Sequence, residues 1–161
     1  MMEKNKQFAF RVHPSIHILG ELTMSLAFWL MIFCISFMVY LLLDLLWLRY
    51  VAGSFYQQQL DFLLAPQPRM TPALLFYVLF VLGNLVFVTK PVLTTPSLSE
   101  FLFRGCLYGL VTYGTYDLTN YSTVEGWPVV VTVLDLAWGV GISLLVSGAG
   151  YYTGVYLPYV T

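Results

Sequence analysis

Between Leu22 and Leu48 the chain carries a single charged residue, Asp44. A run so long and so free of charge can cross about 30 Å of hydrocarbon as a tilted helix. Three further apolar stretches follow, Pro72–Thr89, Glu100–Tyr121 and Pro128–Gly150. Each reaches the roughly 17–20 residues that a helical span requires. Hydrocarbon offers no water to the backbone, so a crossing segment closes its own hydrogen bonds as a helix. Pro72 and Pro128 fall at or near first-turn positions, where a missing N–H costs nothing.

Composition points the same way. Apolar residues make up 59% of the chain and charged residues 9%, against roughly 25% charged in an ordinary soluble domain. Seven basic and eight acidic side chains cannot cover a 161-residue globule in water. The apolar content excludes disorder. A net charge of −1 with no basic patch excludes a nucleic-acid-binding module. The expected fold is all-α: a polytopic membrane protein with four transmembrane helices and one short interfacial amphipathic helix. Residues 1–21 form a polar N-terminal tail, residues 22–150 the membrane domain, with its spans at 22–48, 72–89, 100–121 and 128–150, and residues 151–161 a short C-terminal tail.

The amphipathic helix is read at 54–65. Phe55, Tyr56, Leu60, Leu63 and Leu64 recur on one face, while Gln57, Gln58, Gln59 and Asp61 fill the other. Pro66, Pro68 and Pro72 then turn the chain back, and Pro91 and Pro96 make a second tight connection over 90–99. Lysine and arginine counting sets orientation. Lys4, Lys6, Arg11, Lys90 and Arg104 fall on the side of the termini, Arg49 and Arg69 on the other. Both termini are therefore expected on the cytoplasmic side. The apolar run after the tail is too long for a cleavable signal peptide. A mitochondrial address is compatible with the tail, although two acids interrupt its basic residues.

Three acids lie inside the spans: Asp44, Asp117 and Asp135. At 1.5 Å per residue they sit roughly 13, 10 and 6 Å from the middles of their helices. With alternating helix directions, all three fall in the leaflet away from the termini. Acids at such depth usually face the bundle, paired or protonated. Asp-x-x-Trp occurs twice, as Asp44–Trp47 and Asp135–Trp138, and Asp117 shares a helix face with Tyr113 and Asn120. The candidate ligand-binding set is thus Asp44, Trp47, Tyr113, Asp117, Thr119, Asn120, Asp135 and Trp138. Such a pocket suits a cation, a protonated amine or a lipid head group. The competing reading makes each Asp a neutral strut between helices.

Other features carry less. Trp47 and Trp127, near span ends, also fit an interfacial aromatic belt. Gly105-x-x-x-Gly109 and Ser143-x-x-x-Ser147 offer small-residue seams that close the bundle or a homodimer. Arg104 reaches back to the near interface. Asn120-Tyr-Ser122 is a formal glycosylation sequon at the membrane edge. His13 and His17 flank Pro14, which argues against a helical metal pair, and no span contains a haem-ligating histidine. Cys34 and Cys106 read as buried free thiols. No metal and no cofactor is expected.

Asp44-x-x-Trp47, Phe55-Tyr56, Phe76-Tyr77, Pro91, Thr115-Tyr-Asp-Leu-Thr-Asn120, Trp127-Pro128 and Asp135-x-x-Trp138-Gly139 carry a resemblance to the DUF2177 family over roughly residues 38–150. That resemblance implies a four-span integral membrane protein and no particular activity. The first 20 residues look like an addition to the family's short start, compatible with targeting or a partner contact.

Three functional classes fit these residues. The favoured one is a non-enzymatic binding or transport module with an acidic, aromatic intramembrane pocket. The second is an accessory subunit of a larger membrane complex. The third is a lipid- or isoprenoid-modifying membrane enzyme with an Asp as general acid or base. Phosphate chemistry would call for more basic residues beside the acids than Arg49 and Arg69. The expected partners are the lipid bilayer and a homodimer or larger membrane complex.

Overall fold

A computed structural model describes residues 26–157, and every regular element among them is helical. The polar tail at 1–21, with His13 and His17, lies outside the described residues, as do the last four positions of the chain. Helix α1, Leu26–Trp47, passes through a π-helical turn at Leu48–Ala52 into α2, Gly53–Leu60. Helix α3, Met70–Asn84, passes through a second π-helical turn at Leu85–Thr89 into α4, Lys90–Thr94. Helices α5, Leu98–Thr123, and α6, Val129–Tyr156, complete the chain. Leu26–Leu60, Met70–Thr94 and Val129–Tyr156 are each long and apolar enough to cross a membrane.

Helix α5 has the length, 26 residues, but more polar side chains. Its threonines spend their protons on their own helix: Thr112 donates to Tyr108 O, Thr115 to Val111 O, and Thr119 and Thr123 to the carbonyls four residues earlier. A hydroxyl satisfied in this way can sit in an apolar setting. Ser97 caps the helix, accepting from the Glu100 N–H.

The four long segments run antiparallel to their neighbours. Ile32, near the start of α1, packs with Tyr151 and Val155 near the end of α6, and with Leu85, Val92 and Leu93 from the second segment. Midway, Tyr40 meets Phe80, Val81, Ile142 and Val146. At the far end, Leu60 of α2 packs on Trp127 and Val131. The starts of α1 and the end of α6 thus share one end of the bundle. The α5–α6 pairing is the most extensive. Gly105 and Gly109 make it close: a Cβ on Gly109 would strike the backbone of Gly139, and one on Gly105 the side chain of Leu144. The small-residue seam therefore closes the monomer.

Several boundaries differ from those expected. The 54–65 segment does not stand as an element of its own: helical structure is continuous from Leu26 to Leu60, and residues 61–65 lie beyond it. The widened turn at Leu48–Ala52 absorbs one residue more than an α-turn, and a Cβ on Gly53 would collide with the Leu48 carbonyl oxygen. The apolar face of α2 also packs on protein, with Leu60 buried and Phe55 and Tyr56 beside Trp127 and Val131. The second segment continues beyond Thr89 and through Pro91 to Thr94. The π-turn just before Pro91 loosens the backbone where a proline interrupts the regular bonding. Helix α6 runs past Gly150 to Tyr156. Cys34 is exposed on the outer face of α1 and Cys106 is half-buried, so neither thiol is enclosed.

Candidate functional site

Polar side chains in the bundle interior collect in two layers. The first lies between the middle of the bundle and the end shared by Leu26 and Tyr156. There Asn84 is fully buried and donates to Ser143 O at 3.1 Å and to Ser143 Oγ at 3.2 Å. Its own carbonyl accepts from Thr89 Oγ1 at 3.3 Å. Ser147 donates to Ser143 O at 2.6 Å. Ser36 and Gly150 approach the same place: a Cβ on Gly150 would lie 2.9 Å from Ser36 Oγ and 3.0 Å from Thr89 Cγ2.

The second layer holds all three acids. Asp44, Asp117 and Asp135 are each buried. Asp44 accepts a hydrogen bond of 2.6 Å from the Tyr77 hydroxyl. Asp135 accepts from the Tyr56 hydroxyl, delivered by α2. The continuity of α1 with α2 is what carries Tyr56 to α6. Asp117 is different. It is 0% exposed, and neither carboxyl oxygen has a hydrogen-bond donor. The Asp135 carboxyl adjoins it without the geometry of a hydrogen bond.

The two Asp-x-x-Trp segments meet through their tryptophans. Trp47 and Trp138 stack with centroids 4.3 Å apart and planes 6° from parallel. Both indole N–H groups are buried, beside the Tyr56 and Tyr113 hydroxyls, without the geometry of a hydrogen bond. Trp47 is therefore a contact between α1 and α6. Trp127 is also buried: it donates to Thr132 Oγ1 at 3.1 Å and packs edge-on against Tyr116 at 5.8 Å. Tyr113 sits over Gly139, where a Cβ would overlap its ring, and its hydroxyl lies 3.4 Å from that of Tyr40.

A cleft of about 590 Å³ reaches Asp117 and Asp135. Phe76, Thr112, Tyr113, Thr115 and Tyr116 form the rest of its wall. Of the eight residues singled out from sequence, Tyr113, Asp117 and Asp135 thus come together on one cleft. Trp47 and Trp138 lie in the same layer as a stacked pair, and Asp44 is engaged separately by Tyr77. Thr119 does not join them: it is exposed and its hydroxyl is bound to Thr115 O. Asn120 is half-buried beside Tyr116 and does not line the cleft. Sequence reasoning missed Tyr56, Tyr77 and Asn84. A lone carboxamide in the second apolar stretch was the available signal for Asn84. The tyrosines gave no such signal, since their partners lie 79 and 33 residues away.

No metal-ligating group of three or more His, Cys, Asp or Glu occurs among the described residues. The one ion pair among them joins Arg104 to Glu100 at 2.7 Å, far from the acids and near the opposite end of α5. Lys90 lies over the ring of Trp29 and Arg49 over that of Tyr50.

The chain was compared with known proteins. The family described as "Predicted membrane protein (DUF2177)" matches residues 29–152. No curated protein and no solved structure matches the chain.

Proposed function

We propose that this chain, which belongs to the DUF2177 family of predicted membrane proteins, is a binding module whose intramembrane ligand is a cation, most simply a protonated amine. One observation carries the reading: Asp117 is fully buried, has no donor, and lines an open cleft with a second carboxyl and three aromatic rings. A buried carboxylate left without a donor costs stability. A cationic N–H group entering the cleft would supply that donor. It would also neutralise part of the charge and gain from the faces of Phe76, Tyr113 and Tyr116. The threonine hydroxyls that line the cleft have given their protons to Tyr108 O and Val111 O, so what they offer a ligand is acceptor oxygen.

The test is ligand-dependent thermal stability of the purified protein in lipid nanodiscs, with methylammonium titrated at constant ionic strength. Wild type should gain in melting temperature with concentration. Asp117→Asn should remain folded and lose the gain. An equal response in both would end the proposal.

Sidedness extends the same reading. Arg49 and Arg69 are at the acid end of the bundle, Lys90 and Arg104 at the other, and the excess of Lys4, Lys6 and Arg11 in the N-terminal tail supports a cytoplasmic position for the shared end of α1 and α6. In a chain lacking Cys34 and Cys106, a cysteine at Ser97 should be labelled only from the cytoplasmic side and one at Gln67 only from the opposite side. The reverse pattern would invert the orientation.

A further inference from the structure

We infer that the ligand comes from the bilayer rather than from water: an amphiphile with a protonated amine head and one alkyl chain, which reaches the acids sideways between α3 and α5. The inference rests on the amine-binding reading above and adds the route and the chain.

The first argument is closure along the bundle axis. Below the acids, on the side of the nearer aqueous phase, Leu60, Trp127 and Val131 form a buried cluster with Phe55, Tyr56 and Val124 packed on it. Tyr116 closes edge-on against Trp127. This apolar plug is made by α2 and the loop before α6, and it blocks the short path from water.

The second argument is an opening at the side. The α5–α6 contact brings backbones together through Gly109 and Gly139, whereas α3 and α5 meet through side chains: Tyr108 donates to Phe80 O at 2.8 Å, and Phe76 and Phe80 meet the Tyr113 ring. The mouth of the acid cleft lies on this side-chain seam, where Phe76 of α3 and Thr115 and Tyr116 of α5 are exposed. On the four-span reading of the sequence, which puts both helices in the membrane at that level, their exposure is to lipid.

The third argument is what lies beside the mouth. A second cleft of about 410 Å³ occupies the same pair of segments further along, lined by Phe87, Phe103, Leu107, Tyr108 and Val111 and ended by Glu100 and Arg104. On α5, positions 103, 107, 111 and 115 are spaced by four and form one exposed ridge that borders both clefts. Arg104 and Asp117 are about 20 Å apart along the helix axis at 1.5 Å per residue, with Asp117 on the buried side of α5. An alkyl chain the length of one leaflet, about 15 Å, fits along the ridge, with its head turned in through the cleft to the acids. Charge decides the head group: the deep end holds two carboxyls and no cation, so an anionic head is repelled, and a neutral hydroxyl could donate but would not offset the charge or gain the strength of a charge-assisted bond.

The experiment uses the full chain in nanodiscs, with empty nanodiscs subtracted, and measures retained radiolabelled dodecylamine at pH 7. Dodecanol and methylamine serve as competitors, and methylammonium is also tested by thermal stability. Dodecylamine should be retained at one molecule per protein, and dodecanol should not displace it. Asp117→Asn and Asp135→Asn should each reduce retention at least tenfold, with helical content unchanged. Val111→Trp fills the seam away from the acids. It should weaken dodecylamine about tenfold and leave the methylammonium response as in wild type. If Val111→Trp has no effect on dodecylamine, or if dodecanol competes equally, the lateral amphiphile is wrong while the acidic site stands. If neither amine acts through Asp117, the underlying amine-binding reading falls too.

Discussion

The two buried polar layers are built on opposite terms. In the Asn84 layer a carboxamide presents donors and an acceptor, and each finds a partner on Ser143 or Thr89. In the acid layer Asp44 and Asp135 have tyrosine donors, while Asp117 and two indole N–H groups are left unmatched. Both layers are buried, so the desolvation cost falls on both, but only the first recovers it within the chain. A satisfied layer locks helices together. An unsatisfied one holds stability in reserve for whatever completes it.

That contrast yields mutations of opposite sign. The largest expected effect is Asn84→Leu, which deletes the carboxamide and strands Thr89 and Ser143 in the core. Losing two or three bonds worth about 0.6–1.7 kcal/mol each in a membrane protein should destabilise by about 2–3 kcal/mol, measured by denaturant unfolding in mixed micelles. A neutral result would mean that the layer is not a lock. Next comes Asp117→Asn, which removes a buried charge and supplies an N–H toward Asp135. Without ligand it should stabilise the protein by about 1–2 kcal/mol, and a loss of stability would mean that Asp117 has a partner in the resting state. The smallest effect is the Trp47–Trp138 stack. A double-mutant cycle with Trp47→Leu and Trp138→Leu should give a coupling of about 0.5–1.5 kcal/mol. Zero coupling would mean that the tandem Asp-x-x-Trp segments meet without holding each other.

The sequence made the scaffold and one of these layers visible, for different physical reasons. Span length is a one-dimensional quantity, so Leu22–Leu48 and Pro128–Gly150 could be found by counting, although α1 continues further and α6 ends later. The depth of an acid follows from helical rise, which is why Asp117 and Asp135 could be placed in one leaflet before their meeting was known. Which tyrosine reaches which acid depends on how helices are turned against each other. Composition does not encode that, and in the sequence Tyr56 reads as an apolar-face residue and Tyr77 as a motif residue, not as partners of the acids. The candidate pocket read from sequence includes Thr119, but this residue lies two positions from Asp117, about 200° around the helix, and it faces out. The 54–65 face was read correctly as apolar on one side and wrongly as a separate element, since amphipathicity reports a face and not a break.

The π-turn at Leu48–Ala52 has a consequence for the chain's tolerance of length change. A turn closed from i to i+5 accommodates one residue beyond the α-helical repeat. Deleting one residue from it would close an ordinary α-turn and leave Tyr56 on Asp135 and Leu60 on Trp127. Deleting one from the regular helix on either side would instead wind α2 by about 100° about its axis, swinging Tyr56 off Asp135 and Leu60 off Trp127. The widened turn is slack built into a stiff rod, a place where the first segment can shorten by one residue without turning α2 away from α6.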